Sequence, residues 1–297
     1  MPAIRVDVRT ASSAYPIVIG AGLVDALGSL LDEESFSRRR FIVSSPSVWK
    51  LHGPTIARAL PGAETVLIPD GERAKHTGTV MRIYDALVKQ QADRAAGVIA
   101  VGGGVIGDIA GFAAATYLRG IAVAHVPTTL LAQVDSAVGG KVGVNHPLGK
   151  NLIGAFHQPR LVAVDPLLLA TLPRREFRAG LYEVVKYGMA FDQALFDQTR
   201  RSLRAINARD PDVLTPIIAE SCRIKARVVM EDERERGPRR LLNFGHTVGH
   251  ALEAVTKYRR FRHGEAIAWG MLAAADLSAA RGVLPESGRQ ALSDLIG

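Results

Sequence analysis

The sequence predicts an α/β half on a mainly parallel sheet, residues 1–172, followed by an all-α half, residues 173–297. Three observations predict it. Short apolar runs alternate with helical patterns through the first half, as parallel strands joined by crossover helices require. Beyond Leu172 the patterns are helical alone. Between the halves, Thr171-Leu172-Pro173 and the arginines after it interrupt regular structure.

Residues 4–8 alternate with period two, the pattern of a half-buried strand. Residues 41–43 and 65–68 are short β-rich runs bounded by turn residues. Residues 79–89 read as an amphipathic helix, and 97–101 as the continuous apolar run of a strand buried on both faces. A helix over 106–118 and a strand over 121–126 follow. In the second half the helical stretches are 180–189, 193–205, 213–230, 246–254 and 265–280.

Composition bounds the function. The 297 residues are 47% hydrophobic and 22% charged, a globular balance. No apolar run is long enough for a membrane span, and the first ten residues lack the pattern of a signal peptide. The lone cysteine, Cys222, excludes an internal disulfide and a thiolate-only zinc site, so a cytoplasmic location is expected. Net charge of +8 suits an anionic partner. The arginine pairs are scattered and no aromatic residues interleave with them, which argues against nucleic acid. Only eight of the 37 basic residues are lysines, and Lys75, Lys141, Lys150, Lys186 and Lys225 all fall inside the motifs below.

Gly102, Gly104 and Gly107 fit the GxGxxG spacing, after a strand and opening a helix. There glycines let backbone approach a pyrophosphate that the helix N-terminus attracts. The acidic residue usual about 20 positions on is absent. Residues 127–151 are dense in donors and carry Lys141 and Lys150 near paired glycines, as a loop lining an anionic substrate would. His246 and His250 stand at i and i+4, on one helix face. Glu183 lies among apolar residues and His263 begins a helix. Two histidines and a carboxylate with an open position make a catalytic zinc set. Spacing leaves open whether His250 or Glu265 belongs to it.

Several blocks in order then resemble the 3-dehydroquinate synthase family: PDGE at 69–72, GGGVIGD at 102–108, GFAAATYLRG at 111–120, PTTLLAQVDSAVGGKVGVNHPLGKN at 127–151, GLYEVVKYG at 180–188, DERE at 232–235, LLNFGHTVGHALEA at 241–254 and HGEAIAWGM at 263–271. The resemblance implies a Rossmann-like α/β domain, an all-α domain and a site in the cleft between them. It implies NAD contacts at Asp70, Gly71, Glu72, Arg73, Ala74 and Lys75, at Gly104, Val105, Ile106, Gly107 and Asp108, at Thr128, Thr129, Lys141 and Lys150, and at Leu168, Leu169, Ala170 and Thr171. Glu183, His246 and His263 match the ligands of a divalent metal, zinc or cobalt. Asp135, Lys141, Asn151, Lys186, Lys225, Arg239 and His250 match catalytic or substrate-contacting positions. The implied reaction turns 3-deoxy-D-arabino-heptulosonate 7-phosphate into 3-dehydroquinate plus phosphate, in the shikimate pathway to aromatic amino acids. Transient oxidation by NAD, phosphate elimination, reduction and an aldol closure make up the cycle. The implied partner is a small phosphorylated sugar acid, with neither nucleic acid nor membrane, and a homodimer follows by resemblance only.

Two departures stand out. Ser44-Ser45-Pro46 lacks an Asn that often meets the cofactor, and the family continues past the position of Gly297 with helices carrying a further substrate lysine. A C-terminal end missing from this chain is therefore an expectation, as is exposed apolar surface on the 265–280 helix. The rival readings are another sugar-phosphate cyclase, a metal-dependent polyol dehydrogenase that consumes NAD, and a non-catalytic NAD-binding remnant.

Overall fold

Apolar runs with turn residues on both sides form a seven-stranded sheet in the computed structural model, which describes residues 2–235, 237–257 and 259–297. The strands are β1 (Ile4–Arg9), β2 (Ala14–Ile19), β3 (Arg39–Ser44), β4 (Glu64–Leu67), β5 (Ala96–Gly102) and β6 (Ala122–Pro127). A hairpin of β7 (Lys141–His146) and β8 (Gly149–Phe156) forms its own small sheet, and β9 (Leu161–Val164) returns to the large one. The large sheet runs β1-β2-β9-β6-β5-β3-β4. Only the β1–β2 pair is antiparallel.

The first-half helices are α1 (Leu27–Glu33), α2 (Pro46–Ala59), α3 (Thr77–Lys89) and α4 (Gly104–Thr116). Every residue of β5 is buried, as its unbroken apolar run requires. After Val164 every regular element among the described residues is helical: α5 (Arg174–Phe191), α6 (Gln193–Arg201), α7 (Leu203–Asn207), α8 (Pro211–Glu231), α9 (His246–Val255), α10 (His263–Ala280) and α11 (Glu286–Ile296). The mainly parallel α/β half and the all-α half are thus as the sequence predicts. The helix expected over 193–205 is two, broken at Ser202. Expected strands omit β2, β7, β8 and β9, and the 127–151 segment is a π-turn and a hairpin rather than a plain loop.

One core joins the halves. Val6, Tyr15 and Ile17 of β1 and β2 pack with Val184 of α5 and Ile218, Cys222 and Val229 of α8. Each fully buried aliphatic side chain contributes roughly 1.5–3 kcal/mol, so the helical half is anchored to the antiparallel edge of the sheet. Among the described residues no helix is long and apolar enough to cross a membrane.

Candidate active site

The site forms where parallel strands end, the usual place for ligands on an open α/β sheet. β5 ends at Gly102 and α4 begins at Gly104 with no side-chain cap, leaving its first N–H groups free for an anion. A Cβ on Gly104 would lie 2.8 Å from Ser136 Oγ, so backbone alone fits there. Beside this loop the buried Lys75 pairs with Asp108 Oδ2 at 2.5 Å and donates to Asn151 Oδ1 at 2.5 Å. Thr128 is buried after β6, and its N–H bonds Gly102 O at 3.0 Å. Thr129 Oγ1 accepts from Ala132 N–H. Asp70 Oδ1 accepts from Gly71 N–H and its Oδ2 from Ser45 Oγ, so a serine of the segment that lacks the expected Asn reaches this turn. Glu72 accepts from Asn145 at 2.7 Å and lies 3.7 Å from Lys150. Arg73 is exposed and Ala74 buried. Gly107 and Val105 line the first turn of α4. Ile106, Leu168 and Leu169 point into the core, leaving only their backbone to a ligand. Ala170 and Thr171 close the following turn, with Thr171 Oγ1 3.0 Å from His52 Nε2.

Two further buried lysines are each matched with a carboxylate, as burial of a cation demands. Lys225, on α8, donates to Asp135 Oδ1 at 2.5 Å and to Asp135 O at 2.6 Å. Tyr187 donates to the same Oδ1 at 2.6 Å. Burial opposes ionisation of Asp135, but the charges of Lys225 and Lys186 and these hydrogen bonds hold it well below the usual carboxylate range. Burial lowers Lys225 despite Asp135. Lys186 forms an ion pair with Glu183 one helical turn away, both almost wholly buried. Lys141 is half exposed and pairs with Glu235, which also accepts from Asn243 at 3.2 Å. Arg239 is buried with its guanidinium on Glu233 O at 2.5 Å and Gly139 O at 3.3 Å. Gly139 is required there. Its φ is +94°, and a Cβ would sit 2.6 Å from Arg239 Nη2.

The three histidines meet beside Glu183. Ring centroids of His246 and His250 are 5.2 Å apart, and those of His246 and His263 5.4 Å. Ligand atoms of Glu183, His246 and His263 lie within 4.8 Å of one another. This needs α10 to touch α5. Gly264 allows it, since a Cβ there would fall 1.9 Å from Ala179 O. Glu183 is fully buried, and neither carboxylate oxygen accepts a hydrogen bond. His246 is pushed down to about 4 by burial and by the charge of Lys186. Its Nδ1 lies 3.2 Å from Phe244 O, and Nδ1 of His263 lies 3.2 Å from Glu253 Oε2. Each contact leaves Nε2 as the free nitrogen, and Nε2 of His263 lies 3.7 Å from Glu183 Oε1. His250, Glu253 and His263 make a second cluster of the same size, but Glu253 is already engaged by His263 and by Lys150 at 3.4 Å. Glu265 is elsewhere, paired with Arg175 and bonded to Arg262 N–H at the start of α10.

Sequence reasoning did not assign Glu235, Tyr187 or Glu253. The last carried a signal: it stands seven residues after His246 and three after His250, on the same helix face.

The chain has close relatives. A family model described as 3-dehydroquinate synthase N-terminal matches residues 65–179, and one described as 3-dehydroquinate synthase C-terminal matches 180–297. The chain belongs to the 3-dehydroquinate synthase family. A 3-dehydroquinate synthase of Halorhodospira halophila is 53% identical over 283 residues, covering 95% of this chain and 79% of that protein. Among solved structures, 2-deoxy-scyllo-inosose synthase complexed with carbaglucose-6-phosphate, NAD+ and Co2+ superposes with a TM-score of 0.88 at 30% identity, over 99% of this chain and 80% of that one. The 2-epi-5-epi-valiolone synthase of Streptomyces hygroscopicus, with NAD+ and Zn2+ bound, gives 0.88 at 32% identity, over 99% and 82%. The 3-dehydroquinate synthase family thus shares its fold with other sugar-phosphate cyclases, while the higher identity lies with synthases of dehydroquinate.

Proposed function

We propose that this chain converts 3-deoxy-D-arabino-heptulosonate 7-phosphate to 3-dehydroquinate and phosphate, using NAD and one divalent metal, zinc or cobalt. The observation that carries the reading is the buried carboxylate of Glu183, whose Oε2 pairs with buried Lys186 while Oε1, without a hydrogen-bond donor, faces His263 with His246 close by. A buried carboxylate oxygen left without a donor suits a further cation, and the two imidazoles, with Nδ1 already engaged, keep Nε2 as a ligand nitrogen in a cluster whose ligand atoms lie within 4.8 Å of one another. A metal held by these three protein ligands would keep room for substrate oxygens. Relatives named as dehydroquinate synthases support this substrate over those of the other cyclases.

In this reading residues 1–172 hold NAD and residues 173–297 supply the metal ligands and most substrate contacts. The open first turn of α4, Gly104 to Asp108, takes the pyrophosphate, flanked by Asp70–Lys75, Thr128, Thr129 and Lys150. Leu168–Thr171 completes that side. When bound, NAD accepts and returns a hydride, and the metal acts as a Lewis acid toward neighbouring hydroxyls. Lys141, Lys186, Lys225 and Arg239 bind the phosphate and carboxylate through charge-assisted contacts, with Asn151 as a neutral donor. Asp135, held ionised, is a weak proton acceptor; its part is to keep Lys225 and Tyr187 in place. His250 is exposed at the edge of the cluster, and partial desolvation and His263 lower it, which favours the neutral imidazole that a proton acceptor needs. A cytoplasmic location fits the single buried free thiol of Cys222. A homodimer rests on the family resemblance alone.

The test is incubation with the seven-carbon keto-acid phosphate, NAD and zinc or cobalt. Phosphate should appear while absorbance of NADH stays flat at turnover, because oxidation and reduction cancel within a cycle. NADH rising in step with product would mark a dehydrogenase instead. Bound NAD without phosphate release would mark a non-catalytic remnant.

A further inference from the structure

Glu253 sits on α9 with 4% of its surface exposed, and nothing in the proposed chemistry uses it. Its two oxygens divide between two different parts of the chain. Oε2 faces His263 Nδ1 at 3.2 Å, and Oε1 faces Lys150 Nζ at 3.4 Å. His263 begins α10, whereas Lys150 lies on β8 and also reaches Glu72 at 3.7 Å. The carboxylate therefore stands between the hairpin on the nucleotide side and one proposed metal ligand. A histidine whose Nδ1–H donates to a carboxylate is fixed in tautomer and ring orientation, and the other nitrogen becomes more basic. In His263 that other nitrogen is the one 3.7 Å from Glu183.

We propose that Glu253 is a positioning residue for the metal centre: held by Lys150, it fixes His263 with Nε2 directed at the site formed with Glu183 and His246. The inference rests on the ligand set given under Proposed function. It assigns Glu253 no contact with substrate. Losing such a partner weakens metal binding roughly 10–100-fold. Occupancy regained at high metal should then bring back most of kcat.

The probe is Co2+ alone, titrated into metal-stripped protein and followed by its visible absorption. Wild type, Glu253→Ala, Glu253→Gln and His246→Ala are compared, with the melting temperature of each stripped protein recorded. Glu253→Ala should bind Co2+ roughly 10–100-fold more weakly and regain activity in excess metal. Glu253→Gln keeps an acceptor for His263 Nδ1 and should fall between Glu253→Ala and wild type. It also decides the matter if Glu253→Ala does not fold. Glu253→Ala or Glu253→Gln, whichever is read, binding Co2+ as tightly as wild type overturns the inference. So does a folded variant whose weakened binding is not accompanied by metal-dependent rescue. If His246→Ala retains the wild-type absorption, the ligand set itself fails, and the failure is distinguishable from that of Glu253.

Discussion

Asparagine in place of Asp135 would remove the charge that balances buried Lys225 while keeping the size of the side chain. Asp135 is 26% exposed and Lys225 7% at a separation of 2.5 Å. Breaking a fully buried pair costs about 3–5 kcal/mol because the remaining charge is stranded. The partial exposure of Asp135 lets water screen some of this, so about 2–4 kcal/mol is expected at pH 7. The folded carboxylate lies well below its usual range. Its contribution is therefore fully present above the unfolded value of about 3.9 and is lost as pH falls through the lower folded value. The gap between Asp135→Asn and wild type should be constant across neutral pH and narrow below about pH 4. Urea unfolding of wild type, Asp135→Asn, Lys225→Met and the double variant measures both size and coupling. The double variant should lose less than the sum of the singles, because neither charge is left alone. A gap below about 0.5 kcal/mol at pH 7, or one that widens towards pH 3, would refute the argument.

Gly264→Ala should cost more than about 2 kcal/mol of stability through overpacking, because its Cβ would meet Ala179 O at 1.9 Å; it should also lower bound metal, measured by metal analysis, by shifting His263. Asp108→Asn should raise the NAD dissociation constant roughly tenfold, about 1.4 kcal/mol, since Lys75 loses its ion pair beside the glycine loop, while metal content stays unchanged. Burial pushes the Cys222 thiol up to about 12, so it should be inert to a thiol reagent at pH 8 in the folded protein and react fully in urea.

Local signals made much of this readable. The unbroken apolar run of β5, the glycines after it and the helix they open are contiguous, so periodicity and turn chemistry suffice. The i, i+4 spacing of His246 and His250 likewise placed both on one face. β2 and β9 were harder. Pro16 and the brevity of Leu161–Val164 hide strands whose place is set by pairing with each other across more than a hundred residues. The β7–β8 hairpin lies among polar and glycine residues; only Val142 and Val144 alternate in β7, and half of β8 is exposed, so the apolar signal is too short to mark it. Pairs such as Asp135 with Lys225 and Glu253 with His263 join different elements, and no spacing rule predicts them. The break at Ser202 is similar: helical periodicity continues across it while the backbone does not.

The metal ligand set is tested most directly by anomalous diffraction at the zinc edge from crystals of the zinc-loaded protein. A single peak bonded to a Glu183 oxygen and to Nε2 of His246 and His263, with Nδ1 of His263 still on Glu253, is the predicted result. A peak among His250, Glu253 and His263, or none within reach of Glu183, would contradict the account.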